Sequence, residues 1–489
     1  MHPSFKSLAK HQTQLISIFV VLAMLITILP LYGNINTQSS SHNATPLFTT
    51  NHPNPGNTAW SQWLNNPYKN AVINSTSPMV ENLSWNITLP TGNIANLQKT
   101  GIPNMPEMID YNHSIIVGGY NTSYLYSIND TTGNVNWIFE AGPGYTFNVS
   151  SVAADNTIMA VANNIQTRNA IVYGINASNG KNLSYVTVYK VVGNPNFVAG
   201  SPILAESSSG YFSFINVWEY SANNEQALSF SITSLGVFYK GISGTHSYPV
   251  YGGMSNDGTT FNLYETRTTS STKDKYEVQF VFNSDGTYSG ANRPTNKGTV
   301  YSWSSPVIIN YKGTEQGFFT YAGYGGAGNT GPNWYIDYYS PVTNVNGGSP
   351  TTTATLFPDN GPAGGYPTQN LIYTTPLYYN GVFFISVNNG NGLGAGTTNG
   401  NTYILNYSYS KIIAGGAVGA PQASFSFGTN KIYANPIISN GIIYVVAGNF
   451  IYALNTTNFQ KLWYYNTGAP IYTSPIISHG SLYVYNSAG

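Results

Sequence analysis

Apolar and polar positions alternate along most of this chain, in short runs that repeat. Residues 125–137 (LYSINDTTGNVNW), 172–185 and 451–463 (IYALNTTNFQKLW) superimpose. Each is a short alternating run, a polar turn opened by Asn and a second run ending in an aromatic residue. A period of two marks a strand with one face toward a core. A second pattern recurs at 375–384 (TPLYYNGVFF), 435–445 (NPIISNGIIYV) and 474–484 (SPIISHGSLYV). Asn-Gly between two apolar runs predicts a hairpin, because both residues tolerate the positive φ of a type I′ turn. Joined, the two patterns predict four antiparallel strands per repeat.

Copies of the second pattern begin at Pro106, Val152, Pro202, Pro249, Pro306, Pro376, Pro436 and Pro475, spaced 39 to 70 residues apart. That brackets the roughly 40–50 residues of a propeller blade with loop insertions. The last repeat stops at Gly489 after two strands, while 82–88 (NLSWNIT) carries Trp85 where Trp137 and Trp463 stand in other copies. The expectation is an all-β fold: an eight-bladed β-propeller of four-stranded antiparallel blades over 81–489, with seven blades as the alternative count. Its N- and C-terminal strands are expected to share one blade, closing the ring and removing exposed sheet edges.

The run 451–484 (IYALN…KLW…TGAPIYTSPII…GSLYV) resembles the repeat of the pyrroloquinoline-quinone-like, quinoprotein-type β-propellers, and Thr45-Pro-Leu-Phe48 with Gly56 is similar to the lead-in before their first blade. The resemblance implies that the repeat aromatics Trp85, Trp137, Trp463 and, in the third copy, Tyr185 pack between blades. Members that oxidise alcohols or sugars hold the quinone between a Trp and a disulfide of adjacent cysteines, with calcium on Glu and Asn and an Asp base. This chain has no cysteine, and no Glu, Asn and Asp align with those positions. No cofactor and no catalytic residue is therefore expected, with pyrroloquinoline quinone plus calcium as the alternative.

The first 33 residues differ in kind. Lys6 and Lys10 precede the uncharged apolar run 15–29, which reads as a signal peptide or, if uncut, a transmembrane signal anchor over 15–33. A Ser/Asn/Pro-rich linker and lead-in fills 34–80. This predicts a protein secreted or membrane-tethered at the cell surface, and twelve Asn-x-Ser/Thr sequons are compatible with a glycoprotein.

Composition narrows the chemistry. Charged residues are only 7% of the chain, 17 basic against 17 acidic, so there is no electrostatic footprint for nucleic acid. Without cysteine there is no thiolate metal site. His113 and His479 are not paired at metal-ligand spacing, and His479 fills the turn position of Asn380 and Asn440, so no metal is expected. Gly323 to Gly328 matches G-x-G-x-x-G but leads into a strand rather than a helix, which removes the phosphate-binding context.

Two long insertions, 322–333 and 388–401, follow the second strand of neighbouring repeats and so share a face; a third, 346–365, joins those repeats. Tyr324, Trp334 and Tyr366, with the amides of Asn329, Asn388, Asn389 and Asn391, are the candidate ligand-binding residues, offering flat apolar faces beside neutral hydrogen-bonding groups. The expected function is binding or scaffolding at the cell surface, toward protein or carbohydrate partners. The alternative is a quinone-dependent dehydrogenase of alcohols or sugars that lacks the disulfide.

Overall fold

A computed structural model describes residues 71–73, 78–92 and 106–489, except 165, 193–196, 220–224, 233, 235–236, 244–250, 257–259, 267–276, 293–299, 303, 324–332, 348, 359–369, 392 and 394–399. The described chain is built from antiparallel sheets. Seven have four or more strands: blade 1 (109–140), blade 2 (152–187), blade 3 (197–243), blade 4 (251–292), blade 5 (300–358), blade 6 (377–426) and blade 7 (437–466). Each expected repeat start stands at or just before a strand, which in blades 3 and 5 follows a short preceding strand of the same sheet, Phe197–Ala199 and Val300–Tyr301. The first strands of several neighbouring repeats touch one another, as between blades 2 and 3, 4 and 5, and 6 and 7, and so line the axis.

Each gap between consecutive blades holds one apolar cluster, for example Val161, Val172, Ile215 and Leu228 between blades 2 and 3. A blade is thus covered on both faces, and Thr157–Asn164 is buried at all eight positions. The outermost strands see solvent on one side, and Lys461–Asn466 alternates between exposed and half-buried residues. The hairpin turns have the predicted geometry. Asn380 and Asn440 both have φ of 48°, followed by Gly381 at 80° and Gly441 at 75°, a pair of left-handed residues that glycine and asparagine adopt at least cost.

The eighth start gives only a two-stranded hairpin, Ile476–Ser478 with Ser481–Tyr483. The 82–88 segment expected to complete it forms no strand, so the protein is a seven-bladed propeller rather than an eight-bladed one. The expected closure by terminal strands also fails. Near the N-terminus, Val72–Ile73 pairs in parallel with the first strand of blade 7, covering an edge that would otherwise lie open. Residues 78–92 reach the hairpin through single contacts: Leu89 N donates to Gly489 O at 2.7 Å, and the Trp85 ring lies 5.8 Å from that of Tyr483. Local alternation is present in 82–88, but a strand also needs a partner in register along its length, and the hairpin offers none.

What joins the seams on the side of blades 5, 6, 7 and the hairpin is a girdle of polar groups at the residues before Pro306, Pro376, Pro436 and Pro475. Ser305 N donates to Thr375 Oγ1 at 3.2 Å, Thr375 N to Asn435 Oδ1 at 2.7 Å and Asn435 N to Ser474 Oγ at 3.1 Å. Ser474 N then donates to Glu107 Oε2 at 2.6 Å, beside the first strand of blade 1.

The expected leader or anchor helix at 1–33 lies outside the described residues. Among the described residues no helix is long and apolar enough to cross a membrane; the helices there, Val188–Val192 and Tyr409–Ala414, are short. The transmembrane and membrane-anchor expectation is corrected to that extent: the described residues hold no membrane-spanning helix.

Candidate functional site

In a four-stranded antiparallel blade, the loops from strand 2 to 3 and from one blade to the next leave on one face of the ring. The turns between strands 1 and 2 and between strands 3 and 4 leave on the other. The 322–333 and 388–401 insertions belong to the first, the loop face. Of the expected ligand residues, Tyr324, Asn329 and Tyr366 lie outside the described residues. Trp334 is wholly buried in the cluster between blades 5 and 6. Asn388 is also buried. Its Nδ2 donates to Ile432 O at 2.7 Å and its Oδ1 accepts from Ile432 N at 2.8 Å, stitching blade 6 to the segment entering blade 7. Asn389 and Asn391 are half-buried at the base of the loop. Asn391 N donates to Asn370 Oδ1 at 2.6 Å and Asn370 Nδ2 to Asn391 O at 2.9 Å, fixing that base. Lys431 reaches Asn389 Oδ1 from the blade 6–7 connection, and burial pushes its ammonium below the usual lysine range.

Three tyrosines on this face went unnoticed in the sequence. Tyr373, Tyr433 and Tyr472 each stand three residues before the proline of blade 6, blade 7 and the hairpin. Their rings form a half-buried tier across three successive repeats, Tyr373 to Tyr433 at 5.6 Å and 27°, Tyr433 to Tyr472 at 5.8 Å and 51°. Burial pushes the Tyr373 phenol up to about 12, with Tyr433 adding to it; burial raises Tyr433 as well. The readable signal was a tyrosine at the same offset from Pro376, Pro436 and Pro475.

The opposite face holds a cluster that spacing along the chain hid. His113, in the first turn of blade 1, Asp130, just after its third strand, and His479, in the C-terminal hairpin turn, place ligand-type atoms within 4.8 Å of one another. His113 Nδ1 is 3.2 Å and His479 Nδ1 3.0 Å from the same Asp130 oxygen, Oδ2, and the two imidazoles stack at 4.2 Å. Asp110 lies beneath, fully buried, its Oδ2 accepting from Ser478 Oγ and standing 3.9 Å from His479 Nδ1. Burial, outweighing the Ser478 hydrogen bond, pushes the Asp110 carboxyl up. The group can coordinate a metal ion, and its two histidines come from opposite ends of the chain.

No family model matches the chain, and no curated protein matches it. Solved structures do. A europium-containing methanol dehydrogenase superimposes with a TM-score of 0.57 at 10% identity, covering 87% of this chain and 88% of that one. The quinohemoprotein alcohol dehydrogenase of Comamonas testosteroni gives 0.53 at 11% identity, covering 77% of this chain and 69% of that one. Quinohemoprotein alcohol dehydrogenase ADHIIG of Pseudomonas putida HK5 gives 0.50 at 7% identity, covering 77% and 68%. Identities this low establish a shared propeller fold and not the quinone-binding repeat family in particular.

The residues present meet a quinone only in part. The tyrosine tier offers flat faces and Lys431 a cation for a carboxylate. The disulfide platform is absent because the chain has no cysteine. Glu107, the acid beside the girdle, has both oxygens engaged by Ser474. The metal-capable group among the described residues is on the other face. A calcium site with a catalytic base is therefore not assembled beside the tyrosines among the described residues.

Proposed function

We propose that the loop face binds a flat, oxygen-rich ring compound, and that quinone-dependent oxidation of an alcohol or sugar is the activity to test first. The supporting observation is the tier Tyr373–Tyr433–Tyr472, with Lys431 two residues before Tyr433 and bonded to Asn389 at the fixed base of the 388–401 loop. Stacked phenols supply apolar area with little entropy left to lose, and a partly desolvated ammonium attracts a carboxylate more strongly than one in water. The propeller fold shared with methanol and alcohol dehydrogenases makes pyrroloquinoline quinone the first ligand to try.

The test is titration of the full chain with pyrroloquinoline quinone, with and without calcium, followed by quenching of tyrosine and tryptophan emission and by dye-linked oxidation of methanol, ethanol and glucose. Saturable uptake near one equivalent, weakened at least tenfold in Tyr433→Ala and Lys431→Ala, supports the binding site. Oxidation that depends on the added quinone supports the activity. Emission unchanged at tens of micromolar quinone removes the quinone reading.

The amide-rich 388–401 loop favours a second reading, recognition of a protein or glycan partner. Glycan-array binding that vanishes when 392–399 is shortened, in a chain that takes up no quinone, would select it.

A further inference from the structure

We propose that His113, Asp130, His479 and Asp110 form a binding site for a first-row divalent cation of the zinc type, which clasps the C-terminal hairpin to blade 1. The reading is independent of whatever the loop face binds.

The donor set is two imidazole nitrogens and two carboxylates. Zinc takes His nitrogen and Asp oxygen at about 2.0–2.2 Å in tetrahedral sites, so neighbouring ligand atoms stand roughly 3.3 Å apart. The observed separations are 3.0 Å from His479 Nδ1 to Asp130 Oδ2 and 3.2 Å from His113 Nδ1 to Asp130 Oδ2, with the Asp110 carboxylate adjoining, its other oxygen Oδ2 3.9 Å from His479 Nδ1. The first two lie close to that edge length. Hard cations such as calcium prefer six to eight oxygen ligands, and a pair of imidazoles favours the softer first-row ions.

A second observation points to a missing ligand. Asp110 is 0% exposed, yet its Oδ1 has no hydrogen-bond partner. A buried carboxylate oxygen left unpaired is costly, and a cation between Asp110 and His479 would offset that cost. Outer-shell support is present as well. Thr131 Oγ1 donates to Asp130 Oδ1 at 2.9 Å and Ser478 Oγ donates to Asp110 Oδ2, leaving Asp130 Oδ2 and Asp110 Oδ1 for the ion. Such partners orient ligating carboxylates. His113 and His479 have side-chain exposures of 65% and 36% above the buried acids, so an ion can enter from solvent.

The placement gives the ion a structural task. Asp110, His113 and Asp130 belong to blade 1 and its turns, and His479 to the hairpin, so coordination would tie the seam that no sheet closes.

The test uses the full chain stripped with chelator and titrated with Zn²⁺ and Co²⁺ by calorimetry and by the visible absorption of bound cobalt, with Ca²⁺ as comparator. One equivalent of Zn²⁺ bound below micromolar Kd, a tetrahedral cobalt spectrum and a raised thermal midpoint are expected. His479→Asn is the informative variant because Asn440 and Asn380 occupy that turn position with φ of 48° against 47° for His479, so the hairpin keeps its turn. Affinity should fall at least tenfold in His479→Asn and in His113→Asn, and the zinc-induced rise in midpoint should vanish. No uptake by the wild type, uptake unchanged in both variants, or calcium bound more tightly than zinc would overturn the proposal.

Discussion

The seam between blades 1 and 2 and the seam between the C-terminal hairpin and blade 1 use the same tryptophan dock on different backbones. At the first, Trp137 lies on the paired outer strand of blade 1, is 8% exposed, donates from Nε1 to Ala177 O at 2.9 Å and covers Gly180, whose added Cβ would come within 2.8 Å of the ring. At the second, Trp85 donates to Asp130 O at 2.9 Å and covers Gly133 at the same 2.8 Å, yet its segment is in no strand and the ring is only half-buried. The dock therefore depends on side-chain shape and one hydrogen bond rather than on a continuous sheet. The closing seam relies on such docks, on the polar girdle and on the His–Asp cluster.

The largest expected effect separates the two docks. Trp137→Ala removes a buried indole and should cost about 3–5 kcal/mol. Trp85→Ala should cost clearly less, because its ring is half in water and its backbone can relax into the space. Denaturant midpoints of the two variants measure the difference, and equal losses would mean that the strandless seam carries as much of the fold as the sheet-backed one.

Next come the glycines beneath the indoles. Gly180 has φ of 69° and Gly133 of 72°, and a left-handed alanine costs roughly 1–2 kcal/mol before any clash. Gly180→Ala must also displace a ring held on a rigid strand, so it should exceed Gly133→Ala by about 1 kcal/mol. A larger loss at Gly133 would show that 78–92 is the stiffer of the two supports.

The girdle gives a smaller, matched pair. Ser474→Ala removes the oxygen that accepts from Asn435 N and the hydroxyl that donates to Glu107 Oε1 at 3.0 Å. Thr375→Ala removes the oxygen that accepts from Ser305 N. About 1–2 kcal/mol is expected for Ser474→Ala and about 1 for Thr375→Ala. Thermal midpoints suffice, and the reverse order would mean that the closing seam does not lean on Ser474.

Much of this was readable from the chain, and what was not has physical causes. Proline-led runs and Asn-Gly turns are local signals, so every repeat start fell at or just before a strand. Whether 82–88 becomes a strand depends on a distant partner, and the eighth blade was overcounted for that reason. Trp334 and Asn388 looked like binding residues because they flank Gly-rich loops. Both faces of an inner strand are buried between blades, however, so an aromatic or an amide there packs or stitches. His479 read as a turn residue and is one; its proximity to His113 comes from ring topology, which no spacing along the chain reveals.

The smallest effect concerns the tyrosine tier, which crosses a regular seam between Tyr373 and Tyr433 and the hairpin seam between Tyr433 and Tyr472. A phenol titrates near 10 in an unfolded chain, while Tyr373 is pushed up to about 12 by burial. Below pH 10 both states hold the proton and the fold keeps its full advantage. Between pH 10 and 12 the unfolded chain releases it and the fold does not, so stability falls as pH rises. Other raised tyrosines, Tyr211 among them, contribute to the same decline, so the wild-type slope alone does not isolate the tier. Tyr373→Phe, which has no phenol to ionise, should lose less between pH 9.5 and 11.5, by on the order of 1 kcal/mol after solvent screening. Urea midpoints at the two pH values give that difference. Identical slopes in the two proteins would mean that Tyr373 ionises in the fold as it does in water, leaving the tier open to solvent rather than packed across the seams.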